Sequence, residues 1–300
     1  MFKIAWSPVY CLPLPEGHRF PMEKYNLLPE QLIYEGTITP SSLFEPEEIK
    51  KENVLITHTE EWYQKLELLQ LTDSEIRRTG FPLSLELVAR EKKIMQGTID
   101  CALYALEHGA SMNIAGGTHH AFTNRGEGFC LLNDNAIAAN YLLKKNLRKK
   151  ILIVDLDVHQ GNGTAEIFQN DERVFTFSMH GRKNYPFHKE QSDLDIELED
   201  GTDDKTYLKI LDSTLKKISD DFQPDFIFFQ SGVDVIGTDK LGKLNLTIAG
   251  CKQRDKIILE LAHKNNIPIC ASMGGGYSTR IADIVEAHSN TYRVAQEIFF

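Results

Sequence analysis

The chain has 300 residues, of which 42% are hydrophobic and 25% charged, and its net charge is −10. Those figures exclude disordered, fibrous and linker-dominated classes and suit one α/β layered domain. The acidic balance argues against direct binding to nucleic acid or to an anionic membrane, and is compatible with a cationic partner. The cysteines, Cys11, Cys101, Cys130, Cys251 and Cys270, are odd in number and form no C-x-x-C pair. A disulfide framework is therefore not expected, and a reducing, cytoplasmic setting is. No secretory signal, no recruitment segment and no apolar run of ~18 residues is visible, so no membrane span is expected.

Taken in chain order, the first 85 residues read as irregular, with eight prolines. Within them Val54–Thr57 reads as a strand and Thr59–Leu71 as a short helix. Leu85–Glu107 has helical spacing of apolar residues, and Gly109 follows it. A rhythm then sets in. Met112–Ala115, Ile151–Val154, Val174–Ser178, Phe226–Phe229 and Ile267–Ser272 read as strands. Asn135–Lys145, Thr206–Ser219, Gln253–Lys264 and Asp283–Phe300 read as helices. Wholly apolar strands alternating with helices predict one three-layer α/β/α domain over residues 1–300, with a mostly parallel sheet.

Ligands of such sheets bind beyond the carboxyl ends of the strands. The strands here lead into Gly116-Gly117-Thr118-His119-His120, then Asp155-Leu-Asp157-Val-His159, then Asp234, then Gly274-Gly275-Gly276-Tyr277. Asp155, Asp157 and His159 alternate, so a strand of period two can turn them to one side. Carboxylates converging with an imidazole need a positive partner, and a divalent cation such as zinc suits them, with Asp234 as a third ligand. An Asp ending one strand could instead be a simple turn cap. The adjacent histidines can flank a substrate if their turn is tight, or can be ordinary buried groups. The glycine run is a poor match to a phosphate loop; it can instead bring Tyr277 close to a ligand. Gly126-Glu-Gly128-Phe129-Cys130 offers a close approach and an apolar wall, or a loop packed on the core.

Together these stretches resemble the histone deacetylase family, whose fold is arginase-like. The resemblance runs through GGTHHAF (116–122), GEGFCLLNDNAIAA (126–139), ILIVDLDVHQGNGT (151–164), FTFSMH (175–180), FFQSGVDVIGTDKLGKLNLT (228–247) and SMGGGYS (272–278), in the family's order. Gln160-Gly161-Asn162-Gly163, HRFPMEKY (18–25) and GTDKLGKL resemble its class IV branch; most other branches carry His and Asp at positions 160 and 162.

The resemblance implies zinc held by Asp157, His159 and Asp234, with Asp155 bonded to His119. It implies His120 as general base and acid, and Tyr277 as donor to the substrate carbonyl. Gly128, Phe129, Tyr185, Gly275 and Gly276 would line the acyl-lysine site. A structural potassium ion would lie on Asp155, Asp157, His159, Ser178 and Met179, mostly through backbone oxygens, with a second near Phe168, Asp171 and Val174. Zinc would polarise the amide and lower the pKa of water. Asn162, being a neutral amide, would orient His120 without stabilising its cation, so His120 is expected neutral near pH 7. Expected substrates are an acyl-lysine protein or peptide, or an acylated polyamine in the alternative of a small-molecule amidohydrolase. Long acyl groups are implied by the class IV likeness alone. A two-manganese ureohydrolase would need extra carboxylates, typically a D-x-D-x-x-D cluster late in the chain, where the late strand offers Asp234 and Asp239 only. A catalytically dead binding module with the same pocket is a further alternative, but with the ligand triad, the histidine pair and Tyr277 all present nothing supports inactivation.

Overall fold

The apolar runs Ile151–Val154 and Phe226–Phe229 lie side by side in parallel, with Val154 opposite Phe229. Each of these side chains is at most 2% exposed, as expected of strands covered on both faces. The computed structural model describes residues 2–300. Its strands are β1 (Lys3–Ala5), β2 (Leu43–Phe44), β3 (Ala110–Asn113), β4 (Ile151–Asp155), β5 (Val174–Gly181), β6 (Leu194–Leu198), β7 (Phe226–Gln230) and β8 (Ile269–Ser272). They form one eight-stranded sheet in the order β2-β1-β3-β8-β7-β4-β5-β6, with every pairing parallel. The fold is thus the expected α/β type, and the sheet is wholly rather than mostly parallel.

The helices are α1 (Lys24–Tyr34), α2 (Lys51–Val54), α3 (Glu60–Glu67), α4 (Asp73–Thr79), α5 (Leu85–His108), α6 (Asp134–Lys144), α7 (Asn162–Phe168), α8 (Asp204–Phe222), α9 (Ile248–Lys264) and α10 (Ile281–Phe299). Helices α5, α6 and α7 pack in succession as one layer, and α1, α10, α9 and α8 as another. Ser84 caps α5 through Leu87 N, and Gly109 ends it with a φ of 89°.

The N-terminal third departs from the sequence reading. It holds two strands and four helices rather than irregular chain. Prolines read as breakers there, yet Pro29 lies inside α1, where Leu28 and Leu32 are buried. Val54–Thr57 is no strand: Val54 ends α2, and its carbonyl accepts from Thr57 N and His58 N in a turn. The helix expected through Leu71 stops at Glu67, and Leu69 takes a φ of 54°. The edge strand β6 was missed because its LDIEL pattern is half polar.

Register carries the site. Asn113, Ser272, Gln230, Asp155 and Ser178 stand opposite one another across five neighbouring strands. One polar row therefore closes the carboxyl end of the sheet, and the loops after it lie together.

Candidate active site

Asp155 is the last residue of β4, and its two followers at period two turn into the loop beyond. The ligand atoms of Asp157, His159 and Asp234 lie within 4.8 Å of one another, all buried. His159 Nδ1 is 2.9 Å from Asp157 Oδ1 and 3.1 Å from Asp234 Oδ2. Among the described residues, this is the one group of three or more His, Cys, Asp or Glu side chains able to hold an ion. Burial opposes a charged His159, but its hydrogen bonds to the Asp157 and Asp234 carboxylates outweigh it and push its pKa up to about 10. Burial, then the like charge of Asp157, pushes Asp234 up to about 7. Two carboxylates crowded in low dielectric around one nitrogen call for a cation, so the donor set fits a divalent ion with an open position.

The glycine run lets those carboxylates converge. Gly275 N donates to Asp157 Oδ2 at 2.8 Å, and a Cβ at Gly275 would overlap both Asp234 Oδ2 and Asp157 Oδ2. Tyr277 follows, its backbone N donating to Asp239 Oδ2 at 2.6 Å. Its ring stands 6.4 Å from that of His159. Among the described residues its hydroxyl has no hydrogen-bond partner, which leaves the O–H free to donate. Burial, then the Asp157 and Asp234 carboxylates, raises its pKa well above the ordinary phenol value. Gly276 itself lines neither cavity of the site; Gly274 and Gly275 do.

The adjacent histidines are brought together, with ring centroids 4.0 Å apart. His119 Nδ1 faces Asp155 Oδ2 at 2.6 Å. Burial would lower His119, but the Asp155 and Asp157 carboxylates raise it. His120 goes the other way: burial first, then the neighbouring His119 and His159, holds it well below the usual imidazole value. The two are split into a charge-favouring and a neutral imidazole, the pattern that separates acid from base roles.

His120 Nδ1 meets Asn162 Oδ1 at 2.7 Å. Behind it stands a residue that the sequence reading passed over. Asn162 Nδ2 donates to Glu127 Oε1 at 2.7 Å, and the Tyr185 hydroxyl donates to the same oxygen at 2.8 Å. Lys24 and Asp239 were also unassigned. Lys24 is fully buried, its Nζ donating to Gly274 O at 3.2 Å, and burial lowers it to about 8. Ser178 and Met179 are buried on β5, but Ser178 Oγ is paired with His180 Nδ1 at 2.9 Å.

Phe129 is held at a φ of 66°, its N donating to Thr79 O at the end of α4. A Cβ at Gly128 would overlap the His120 ring, so only glycine lets this loop come so close. Phe129, Tyr185, His120, His159 and Tyr277 share an outer cavity of about 520 Å³. An inner cavity of about 40 Å³ continues past His120 and His159 to Cys130 and Arg90.

The histone deacetylase domain family matches residues 18–292. Histone deacetylase 2 of Arabidopsis thaliana is 30% identical over 278 residues, covering 89% of this chain and 72% of that protein. A protein of Picosynechococcus sp. described as uncharacterised is 42% identical over 298 residues, 99% of each chain. A crystal structure of an HDAC homolog complexed with SAHA has a TM-score of 0.85 at 24% identity, covering 99% of this chain and 84% of that one, a likeness of fold. With the family matched over nearly its whole length and a curated member at 30% identity, the chain belongs to the histone deacetylase family.

Proposed function

We propose that the protein hydrolyses the amide of an N-acyl-lysine, with zinc held by Asp157, His159 and Asp234. The observation that carries the reading is the convergence of that buried triad with a neutral imidazole and an unpartnered phenol at one mouth. Zinc, when bound, supplies Lewis acidity toward the carbonyl and lowers the pKa of water. His120 takes the water proton at Nε2 and returns a proton to the leaving lysine amine. Asn162 Oδ1, on His120 Nδ1, keeps that nitrogen protonated and Nε2 free. Asp155 does the same for His119, as an ion pair. Tyr277 donates its hydroxyl to the carbonyl oxygen, a bond that strengthens as negative charge grows there. Phe129 and Tyr185 flank the lysine stem.

The inner cavity of about 40 Å³ favours an acetyl group, against the long acyl groups that the class IV likeness implies. Asn162 and Gln160 favour the class IV branch. A structural potassium ion on Asp155, Asp157, His159, Ser178 and Met179 belongs to the same reading, as does a cytoplasmic setting for five free thiols. The test is acetate release from an acetyl-lysine peptide by protein stripped of metal and then given zinc. Release that returns with zinc is expected; none from zinc-loaded protein on any acyl-lysine peptide would overturn the reading.

A further inference from the structure

The chain carries a net charge of −10, yet the mouth of its site is cationic. Arg19, Arg77, Arg78, Lys183 and Lys243 line the outer cavity, and no carboxylate does. They come from four separate places: the segment before α1, the end of α4, the turn after β5 and the loop after β7. All five are exposed. Among the described residues only Lys183 has a carboxylate partner, Asp200 at 3.5 Å, itself a solvent-facing pair. Arg19, Arg77, Arg78 and Lys243 have none within salt-bridge distance. The Arg19 guanidinium instead stands 5.1 Å over the Phe129 ring, and Lys243 Nζ donates to Lys183 O at 3.3 Å.

Four unpaired cations around one opening repel one another and any cation entering between them. In an acidic protein with 43 acidic side chains available, none is placed to neutralise them. A mouth of one sign focuses the opposite charge. Beside the cations, Phe187 is 85% exposed at the same opening, so the rim offers apolar contact as well as charge.

We infer that the substrate is a polypeptide whose acyl-lysine is flanked by carboxylate side chains, recognised by Arg19, Arg77, Arg78 and Lys243 around the mouth. This rests on the acyl-lysine reading above and narrows it. It also disfavours an acylated polyamine, whose remaining ammonium groups would sit among those cations. The compatibility of an acidic chain with a cationic substrate, expected from composition, does not extend to the mouth: the acidic excess lies elsewhere on the molecule.

The test uses zinc-loaded full-length protein and three peptides of one length, with Glu, Gln or Lys on both sides of a single acetyl-lysine, and acetylated spermidine beside them. At low salt, kcat/KM should fall from the Glu to the Gln to the Lys peptide, by on the order of tenfold overall, and chiefly through KM. The spread should shrink toward about twofold at roughly 0.5 M salt, where the screening length is only a few ångströms. R78E/K243E should reverse the order. If that variant does not fold, the salt series on the unaltered protein decides alone. Equal rates on all three peptides, a preference for the Lys peptide, or acetylated spermidine as the best substrate would overturn this inference while leaving amide hydrolysis standing. Failure of every peptide would remove the acyl-lysine reading and this inference with it.

Discussion

Asn162 turns its amide nitrogen to Glu127, 2.7 Å from Oε1, and this decides what its oxygen can do. A carboxylate only accepts, so Nδ2 must face Glu127 and Oδ1 must face His120. Gly163 N, donating to the same Oδ1 at 3.1 Å, agrees. An oxygen at His120 Nδ1 requires a proton there, which leaves Nε2 as the lone pair facing the cavity. The direction of the whole chain of bonds is set by one buried-side carboxylate. It also explains why position 162 carries an amide: an aspartate there would set its second oxygen against Glu127.

Glu127→Ala should therefore lower kcat on the order of tenfold or more, as loss of a supporting hydrogen-bond partner does. Glu127→Gln keeps an acceptor for Asn162 and Tyr185 and should stay near wild type. Asn162→Asp alone should be poor, and Glu127→Gln/Asn162→Asp should recover, because the glutamine can donate where the asparagine did. A double variant no better than Asn162→Asp would contradict the bond direction.

Tyr277→Phe removes one donor and leaves the Asp239 contact to its backbone intact. It should fold and bind zinc with wild-type stoichiometry. Turnover should drop by roughly 10²–10³-fold, the usual loss for one oxyanion donor. Near-normal hydrolysis would show that another group holds the developing charge.

The acid limb of kcat/KM should lie below pH 6.5. Protonation at His120 Nε2 abolishes the base, and burial, with His119 and His159 nearby, holds its pKa well below that value. A rate profile whose acid limb lies above pH 7 would contradict a neutral His120.

His58 gives a stability measurement independent of activity. Its Nδ1 is 2.9 Å from Phe122 O, and its Nε2 accepts from Asn133 N at 2.9 Å, tying the loop beyond the histidine pair to the start of α6. Burial lowers its pKa from 6.5 to about 4. The unfolded chain takes the proton first as pH falls. The contribution is thus fully present above pH 6.5 and is lost between pH 6.5 and 4, by about 3 kcal/mol at most. Urea unfolding across that window should show a flatter pH dependence for His58→Gln than for wild type. Parallel curves would contradict this.

Acyl length follows from the inner cavity of about 40 Å³. Acetyl-lysine should be cleaved faster than myristoyl-lysine in one peptide, by on the order of tenfold or more, since forcing added methylenes into a packed space costs about 1–3 kcal/mol. A faster myristoyl reaction would mean that the inner wall opens.

How far the site was legible in the sequence depended on which residues were local. Asp155, Asp157 and His159 follow a wholly apolar strand at period two, and Tyr277 follows three glycines, so their placement at one sheet end could be read from spacing. Glu127, Lys24 and Asp239 lie inside stretches that carry the family resemblance, but they act on partners 35, 250 and 38 positions away, so spacing alone does not reveal what they do. The four unpaired mouth cations come from three places, the segment before α1, the end of α4 and the loop after β7, and only Arg77 and Arg78 are neighbours in sequence. The N-terminal third was misread because its prolines suggested breaks, while β1 and β2, at three and two residues, are too short to show a period.

The most direct measurement is turnover of an acetyl-lysine peptide as zinc is titrated into metal-free protein. The three ligands of one buried group, Asp157, His159 and Asp234, imply a rate that rises linearly and saturates at one zinc per chain, with Asp234→Ala silent throughout. A rate independent of zinc, or one that saturates only at two ions per chain, would contradict it.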